Sequence, residues 1–376
     1  MADFLFVLAE WMFLPLMSLI IIVSLSKCIW PKRTFLFLWS GFFLLCCIIV
    51  FWAEPSTSED LARHYSDIIY IRKGWSMDTP LIIWKILLTM IAKTNANGWL
   101  PAINMAIAGL VTRYIVKTNI EQKFRGQLLI FALVIFLGGC HLAAIVSSVR
   151  APMAFAIWTY VYLQFYKDKK IAYYVVAVLC SLIHPVALYA IVLLELYQFF
   201  VKSGNVVRKF IIAALIVWPI FCKFLLNIIA SIGGAYGSLL VSKFSDYEGV
   251  SVLFNNPWRI LVLIGGIFLF MIFCHMESFE IEEGERFHVG FSKFVLFFAI
   301  VSCVSYQALT DRTMILVSYL ALPVVCQYMK YRQRSKILIC LTGICYGILT
   351  LFYINALLSH ETFHGVDFYQ MIWRIL

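Results

Sequence analysis

The sequence predicts an all-α polytopic integral membrane protein, and three observations predict it. Hydrophobic residues fill 63% of the 376 positions and charged residues only 13%, for a mean hydropathy of +0.90; a soluble domain carries about 45–50% and about 25%. The hydrophobic residues gather in blocks of about 20, the length a helix needs to cross a hydrocarbon core. Stretches such as 130–137 and 341–354 are apolar without alternation, whereas a membrane β-barrel strand alternates apolar with polar. Lipid offers backbone amides no partners, so such blocks close their hydrogen bonds as helices.

The first block, about 5–26, has no basic n-region, contains Glu10 and lacks a small-residue cleavage site. It reads as a retained span rather than a signal peptide. Further apolar spans fall near 34–53, 98–116, 126–146, 148–166, 171–183, 186–200, 209–230, 257–275, 291–309, 313–329 and 336–357. Together they amount to about twelve transmembrane helices in one transmembrane domain over 1–376. The segment 80–93 is apolar but short and carries Lys85 and Lys93, which fits an interfacial or re-entrant helix better than a full crossing. Basic clusters stand at both ends of 171–200 with His184-Pro185 between them, so this stretch enters and returns as two short helices.

Orientation follows from the basic residues. Lys27/Lys32/Arg33, Lys117/Lys123/Arg125, Lys167/Lys169/Lys170, Lys202/Arg208/Lys209 and Lys330/Arg332/Arg334/Lys336 fall on one side if the N-terminus is extracytoplasmic, as the positive-inside rule asks. The longer loops, about 54–79 and 231–256, then lie outside. An acidic loop at about 276–290, with Glu277, Glu280, Glu282, Glu283 and Glu285, lies inside. The net charge of +10 is dispersed among these clusters, which argues against a nucleic-acid face. Most of the 11 cysteines sit within apolar blocks and none forms a CxxC pair, so neither a disulfide framework nor a thiolate metal site is expected. There is no P-loop and no GxGxxG pattern, and hence no nucleotide fold.

Four groups of residues are candidates for chemistry. Arg150 opens a span beside Pro152; a charge there is costly unless it has a task or a partner, and its planar fork suits a phosphate. The alternative is an interfacial arginine reaching for headgroups. His184, at the apex of the hairpin, has the basicity to take a proton from a sugar hydroxyl, or is satisfied locally at a kink. Asp311-Arg312 offers a second arginine for a diphosphate, or a short-loop ion pair. The stretch 60–65 (DLARHY), with Asp67 and Arg72, supplies carboxylates, bases and rings for a sugar: Asp60, Arg63, His64, Tyr65, Asp67 and Arg72. Its alternative is an amphipathic interfacial helix. Tyr247 is the aromatic that the other outer loop adds. His360-Glu361-Thr362-Phe363-His364 matches the zinc-protease pattern H-E-x-x-H, with Asp367 as a nominal third ligand. Gly365 follows directly outside the last span, so it reads as a polar tail. No metal and no cofactor is expected.

With these residues placed, the chain resembles the EpsG/Wzy-type polymerases of bacterial surface polysaccharides. An acidic–Tyr element (Asp60…Tyr65) precedes a short helix begun by Pro80-Leu81. An arginine then opens a span rich in small residues (Arg150, Ala151, Ala154, Ala156), and Leu182-Ile183-His184-Pro185-Val186-Ala187-Leu188 follows. The resemblance covers about residues 50–200 by motif and the remainder by topology; Pro185 departs from the small polar residue expected there. It implies a GT-C-like membrane fold in the bacterial inner membrane, with the site facing the periplasm. It also implies donor and acceptor glycans carried on undecaprenyl diphosphate, with membrane lipids, a chain-length regulator and a flippase as partners. Arg150 and Arg312 would hold the diphosphate, His184 or Asp60 would activate the acceptor, and Arg63, His64, Tyr65, Asp67, Arg72, Asp311 and Tyr247 would bind substrate. Two other functions share part of this pattern: an O-antigen ligase, for which the later outer loop is modest, and a flippase or transporter of lipid-linked sugars, for which mid-span charges are few.

Overall fold

The computed structural model describes residues 2–53, 60–77, 79–140, 142–217, 257–303, 307–330 and 335–359. More than four fifths of the described residues are helical. The helices are α1 (Ala2–Leu25), α2 (Lys32–Val50), α3 (Asp60–Arg72), α4 (Ile82–Ala92), α5 (Trp99–Asn119), α6 (Gln127–Cys140), α7 (Leu142–Ser147), α8 (Arg150–Phe165), α9 (Lys170–Ser181) and α10 (Val186–Lys202). After them come α11 (205–217), α12 (Pro257–Glu277), α13 (Glu283–Ser302), α14 (Gln307–Tyr328) and α15 (Lys336–Ser359). Among the described residues, four helices are long and apolar enough to cross a membrane: α2, α5, Arg259–Glu277 of α12 and Leu309–Tyr328 of α14. Others, including α4, α9 and Gln127–Gly139 of α6, are apolar but shorter. The chain is thus a helical membrane protein. Phe37, Leu44, Leu110 and Leu351 stand exposed on its helices, an outer surface that suits lipid and is unfavourable in water.

By contacts the chain divides into two compact units. The first comprises Met1–Ala190, Ser318–Arg334 and Tyr346–Leu376, the second Ile191–Val317 and Ser335–Cys345.

The first unit is built on α2 and α5. Lys32 Nζ, at the start of α2, donates to the Ile120 carbonyl just past the end of α5, at 2.8 Å. At the other end the Phe51 and Trp99 rings meet at 5.1 Å, so the two helices run antiparallel. Between them Trp39 Nε1 donates to Thr112 Oγ1 at 3.0 Å. Gly109 admits Phe43: a Cβ there would stand 2.7 Å from the Phe43 Cβ. Phe136 of α6 extends the core, packing on Phe43 at 5.9 Å and on Tyr319 of α14 at 5.1 Å.

One feature of this unit departs from the all-helical expectation. Strands β1 (Ile29–Pro31) and β2 (Lys123–Arg125) pair antiparallel, Trp30 opposite Phe124. Three-residue strands have no readable period.

In the second unit α12 and α13 are joined by residues 278–282 alone, so most of the expected acidic loop 276–290 is helical. Glu283 and Glu285 occupy the first turn of α13, where their charge complements the helix dipole. Glu277 pairs with Lys293 across the two helices. Gly290 is needed there, because a Cβ would stand 1.9 Å from the Tyr197 hydroxyl.

Candidate functional site

Helix α3 turns much of the expected outer loop 54–79 into an amphipathic element. Leu61, His64 and Ile68 are its buried residues, spaced as one stripe of a helix. Asp60 and Asp67 flank His64 on that side, one turn away in each direction. Asp67 Oδ2 lies 3.2 Å from His64 Nδ1. Asp60 Oδ2 lies 3.4 Å from Nε2, within ion-pair range but not aligned for a hydrogen bond. His64 is 1% exposed, and its ring stands edge-on to Trp84 of α4, centroids 4.9 Å apart. Arg72, at the far end of α3, donates from Nε to the Ala92 carbonyl at the far end of α4, 3.2 Å away. The two contacts follow the same order along both helices, so α3 and α4 run parallel.

Arg150 enters from the start of α8. Its Nη2 lies 3.8 Å from Asp60 Oδ2, and its guanidinium stands over the Trp84 ring, 5.8 Å from the centroid, a geometry suited to cation–π attraction. Arg63 also pairs with Asp60. Burial alone would raise the Asp60 pKa; the interaction with His64, and then the charges of Arg150 and Arg63, outweigh it and hold the carboxyl at about 2. Trp84 is fully buried, and its Nε1, like His64 Nε2, has no hydrogen-bond partner among the described residues. An unmatched buried polar atom costs about 1–3 kcal/mol.

The α9–α10 turn docks on the same place: the Trp84 amide donates to the Leu182 carbonyl at 3.3 Å. Two residues on, His184 Nδ1 accepts the Val186 amide at 3.1 Å. The imidazole therefore caps α10, with Pro185 at the position where a missing N–H is harmless. The local reading of His184 fits this geometry.

Beside Asp67 is a cavity of about 560 Å³ lined by Asp67, Tyr70, Ile71, Trp75, Ser76 and Met77. Its shape comes from the end of α3. Gly74 (φ 87°) takes the left-handed conformation, the Trp75 amide returns to the Tyr70 carbonyl at 3.1 Å, and the Gly74 amide returns to Ile71 at 3.0 Å. This Schellman closure brings the residue after the glycine onto the last turn, and the Tyr70 and Trp75 rings meet T-shaped, centroids 6.4 Å apart.

The structure thus gathers Asp60, Arg63, His64, Asp67 and Arg150. Tyr65 is close by but anchors the chain, its hydroxyl donating to the Ala53 carbonyl at 3.1 Å. Arg72 ties α3 to α4. Asp311 and Arg312 belong to the second unit, where Asp311 has both Arg259 and Arg312 as charged neighbours. Tyr247 and the H-E-x-x-H stretch with Asp367 lie outside the described residues.

Sequence reasoning missed Trp84, Tyr70, Trp75 and Arg259. Arg259 carried a usable signal, a charge at the mouth of a span, as for Arg150. Comparison with protein-family models, curated proteins and solved structures gives no match.

Proposed function

We propose that the chain is a polymerase that joins undecaprenyl-diphosphate-linked oligosaccharide repeats, a nucleotide-independent membrane glycosyltransferase of GT-C-like architecture with about twelve spans. The observation that carries this reading is the pairing of an arginine, whose fork suits a diphosphate, with a carboxylate: Arg150 Nη2 lies 3.8 Å from Asp60 Oδ2. Beside them lies a cavity furnished with rings, a carboxylate and a hydroxyl, groups that match the C–H faces and hydroxyls of a sugar.

The acceptor hydroxyl oxygen attacks the anomeric carbon of the donor. The bond from that carbon to the phosphate oxygen breaks, and the lipid diphosphate leaves with the electron pair. Arg150 neutralises the charge that grows on the leaving oxygen, and Asp60 takes the hydroxyl proton. His184 is better placed to cap α10 than to act as base, so the carboxylate carries that step. With Arg150 and Arg63 both near, Asp60 is a weak base; as Arg150 turns toward the diphosphate, one positive charge leaves the carboxylate and its basicity rises. His64, between Asp60 and Asp67, holds the carboxylate in place.

The geometry of the first unit also supports an extracytoplasmic site. The 19 residues of α2 separate Lys32 from Ala53 by about 30 Å at 1.5 Å per residue, the thickness of a hydrocarbon core. Lys123 and Arg125 are near the Lys32 end, whereas Tyr65 and hence α3 sit at the Ala53 end. If the Lys32 end, where Lys123 and Arg125 join it, is the cytoplasmic one by the positive-inside rule, this arrangement favours an outward-facing Asp60 cluster, in the bacterial inner membrane on this reading.

The test is direct. Purified protein given synthetic undecaprenyl-diphosphate repeat units, without nucleotide, produces a ladder of glycans, and Arg150→Ala lowers its rate at least 100-fold. Full activity in Arg150→Ala, or no ladder from well-folded protein, overturns the proposal. A single transfer onto lipid A-core identifies a ligase instead, and movement of lipid-linked sugar across a vesicle without new bonds identifies a flippase.

A further inference from the structure

At the end of the first unit opposite the Asp60 cluster is a second cavity, of about 320 Å³, lined by Ile29, Ile120, Glu121, Lys123, Phe124, Arg125, Leu128, Cys326, Met329 and Lys330. Three basic clusters far apart in sequence meet there. The β1–β2 pairing sets Arg125 opposite Ile29 and Lys123 opposite Pro31, next to Lys32 and Arg33. The end of α14 adds Lys330. Among the described residues none of Lys123, Arg125 and Lys330 has a carboxylate within ion-pair distance, and all three are exposed. Glu121 is the one acidic wall residue, so the cavity carries a net excess of two positive charges. Its other walls are apolar, with Phe124, Leu128 and Cys326 buried.

We propose that this cavity is a binding site for an anionic phospholipid, the headgroup phosphate held by Lys123, Arg125 and Lys330 and the start of an acyl chain lying against Ile29, Leu128 and Met329. Two observations and one general rule select a lipid over a soluble anion. The cavity joins cations to an apolar wall. It stands at the end of α2 and α5, both long and apolar enough to cross a bilayer. Basic pockets between membrane-spanning helices are one form of acidic-lipid recognition. The inference is independent of the glycosyltransferase reading, since it uses other residues at the other end of the unit.

The experiment is native mass spectrometry on the delipidated full chain, titrated with phosphatidylglycerol or phosphatidylcholine. Phosphatidylglycerol adducts form at the lower concentration, and each removed charge weakens them about fivefold. Lys330→Gln alone is expected to give that fivefold loss without touching the β1–β2 pairing, and Lys123→Gln with Arg125→Gln and Lys330→Gln about 100-fold. Lys169→Gln with Lys170→Gln, a pair at the start of α9 that does not line this cavity, leaves binding unchanged. Equal binding of the two lipids, an unchanged Lys330→Gln, or an equal loss in the α9 variant overturns the proposal. Displacement of the lipid by millimolar inorganic phosphate also does so, because the site would then recognise phosphate without its tail.

Discussion

His184 shows how one hydrogen bond separates two roles for the same side chain. Because Nδ1 accepts the Val186 amide, the role proposed for residue 184 is that of a cap acceptor. Asn replaces that function and Ala does not: His184→Asn is expected to keep activity within a few-fold, and His184→Ala to lower thermal stability by about 1 kcal/mol. A base would behave differently, losing about 10²–10⁴ in rate in both variants, so steady-state rates and melting curves of the pair distinguish the roles. Asp60 gives a second prediction, from the sign of its shift. A carboxyl held at about 2, below its ordinary value near 3.9, stabilises the folded state above pH 4, and that contribution is lost as pH falls through about 2. Solvent screening at a side chain 30% exposed limits it to about 1 kcal/mol. Melting temperatures from pH 5 to pH 2 should therefore fall more steeply in the wild type than in Asp60→Asn, which lacks the contribution throughout.

Among the elements, α2 and α5 were legible because long apolar blocks admit only one structure in lipid. Their antiparallel packing is close, and Gly109 is the point that permits it. Gly109→Ala forces a Cβ to 2.7 Å from the Phe43 Cβ and is expected to cost about 1–3 kcal/mol, read as a lower melting temperature in detergent. In α3 the spacing of Asp60, His64 and Asp67 was visible in the chain, as was the arginine that begins α8. What was not visible was Trp84, which joins them. In a short apolar helix a tryptophan looks like any core residue, and its task follows only from α3 and α4 running parallel, a fact of tertiary contact. The β1–β2 pairing was hidden for a similar reason, since strands of three residues leave no pattern. Tyr70 and Trp75 come together through the Gly74 turn, whose glycine gave no hint of which rings it would bring into contact.

At the scale of the whole molecule, the account requires the Asp60 cluster and the basic β1–β2 end of the first unit to face opposite sides of the membrane. Cys28 is exposed at the basic end, and Ser66 is exposed on α3. In a Cys274→Ser, Cys340→Ser background, Ser66→Cys is expected to react with an impermeant maleimide in intact cells. Cys28 is expected to react only after the membrane is opened. The central claim, that this cluster transfers glycan from a lipid diphosphate with no nucleotide, is tested most directly by counting products in nucleotide-free proteoliposomes. The account predicts one undecaprenyl diphosphate released for each glycosidic bond formed, at a rate lowered at least 100-fold in Asp60→Asn that still folds. Glycan growth without that release, or an Asp60→Asn enzyme as fast as the wild type, would contradict it.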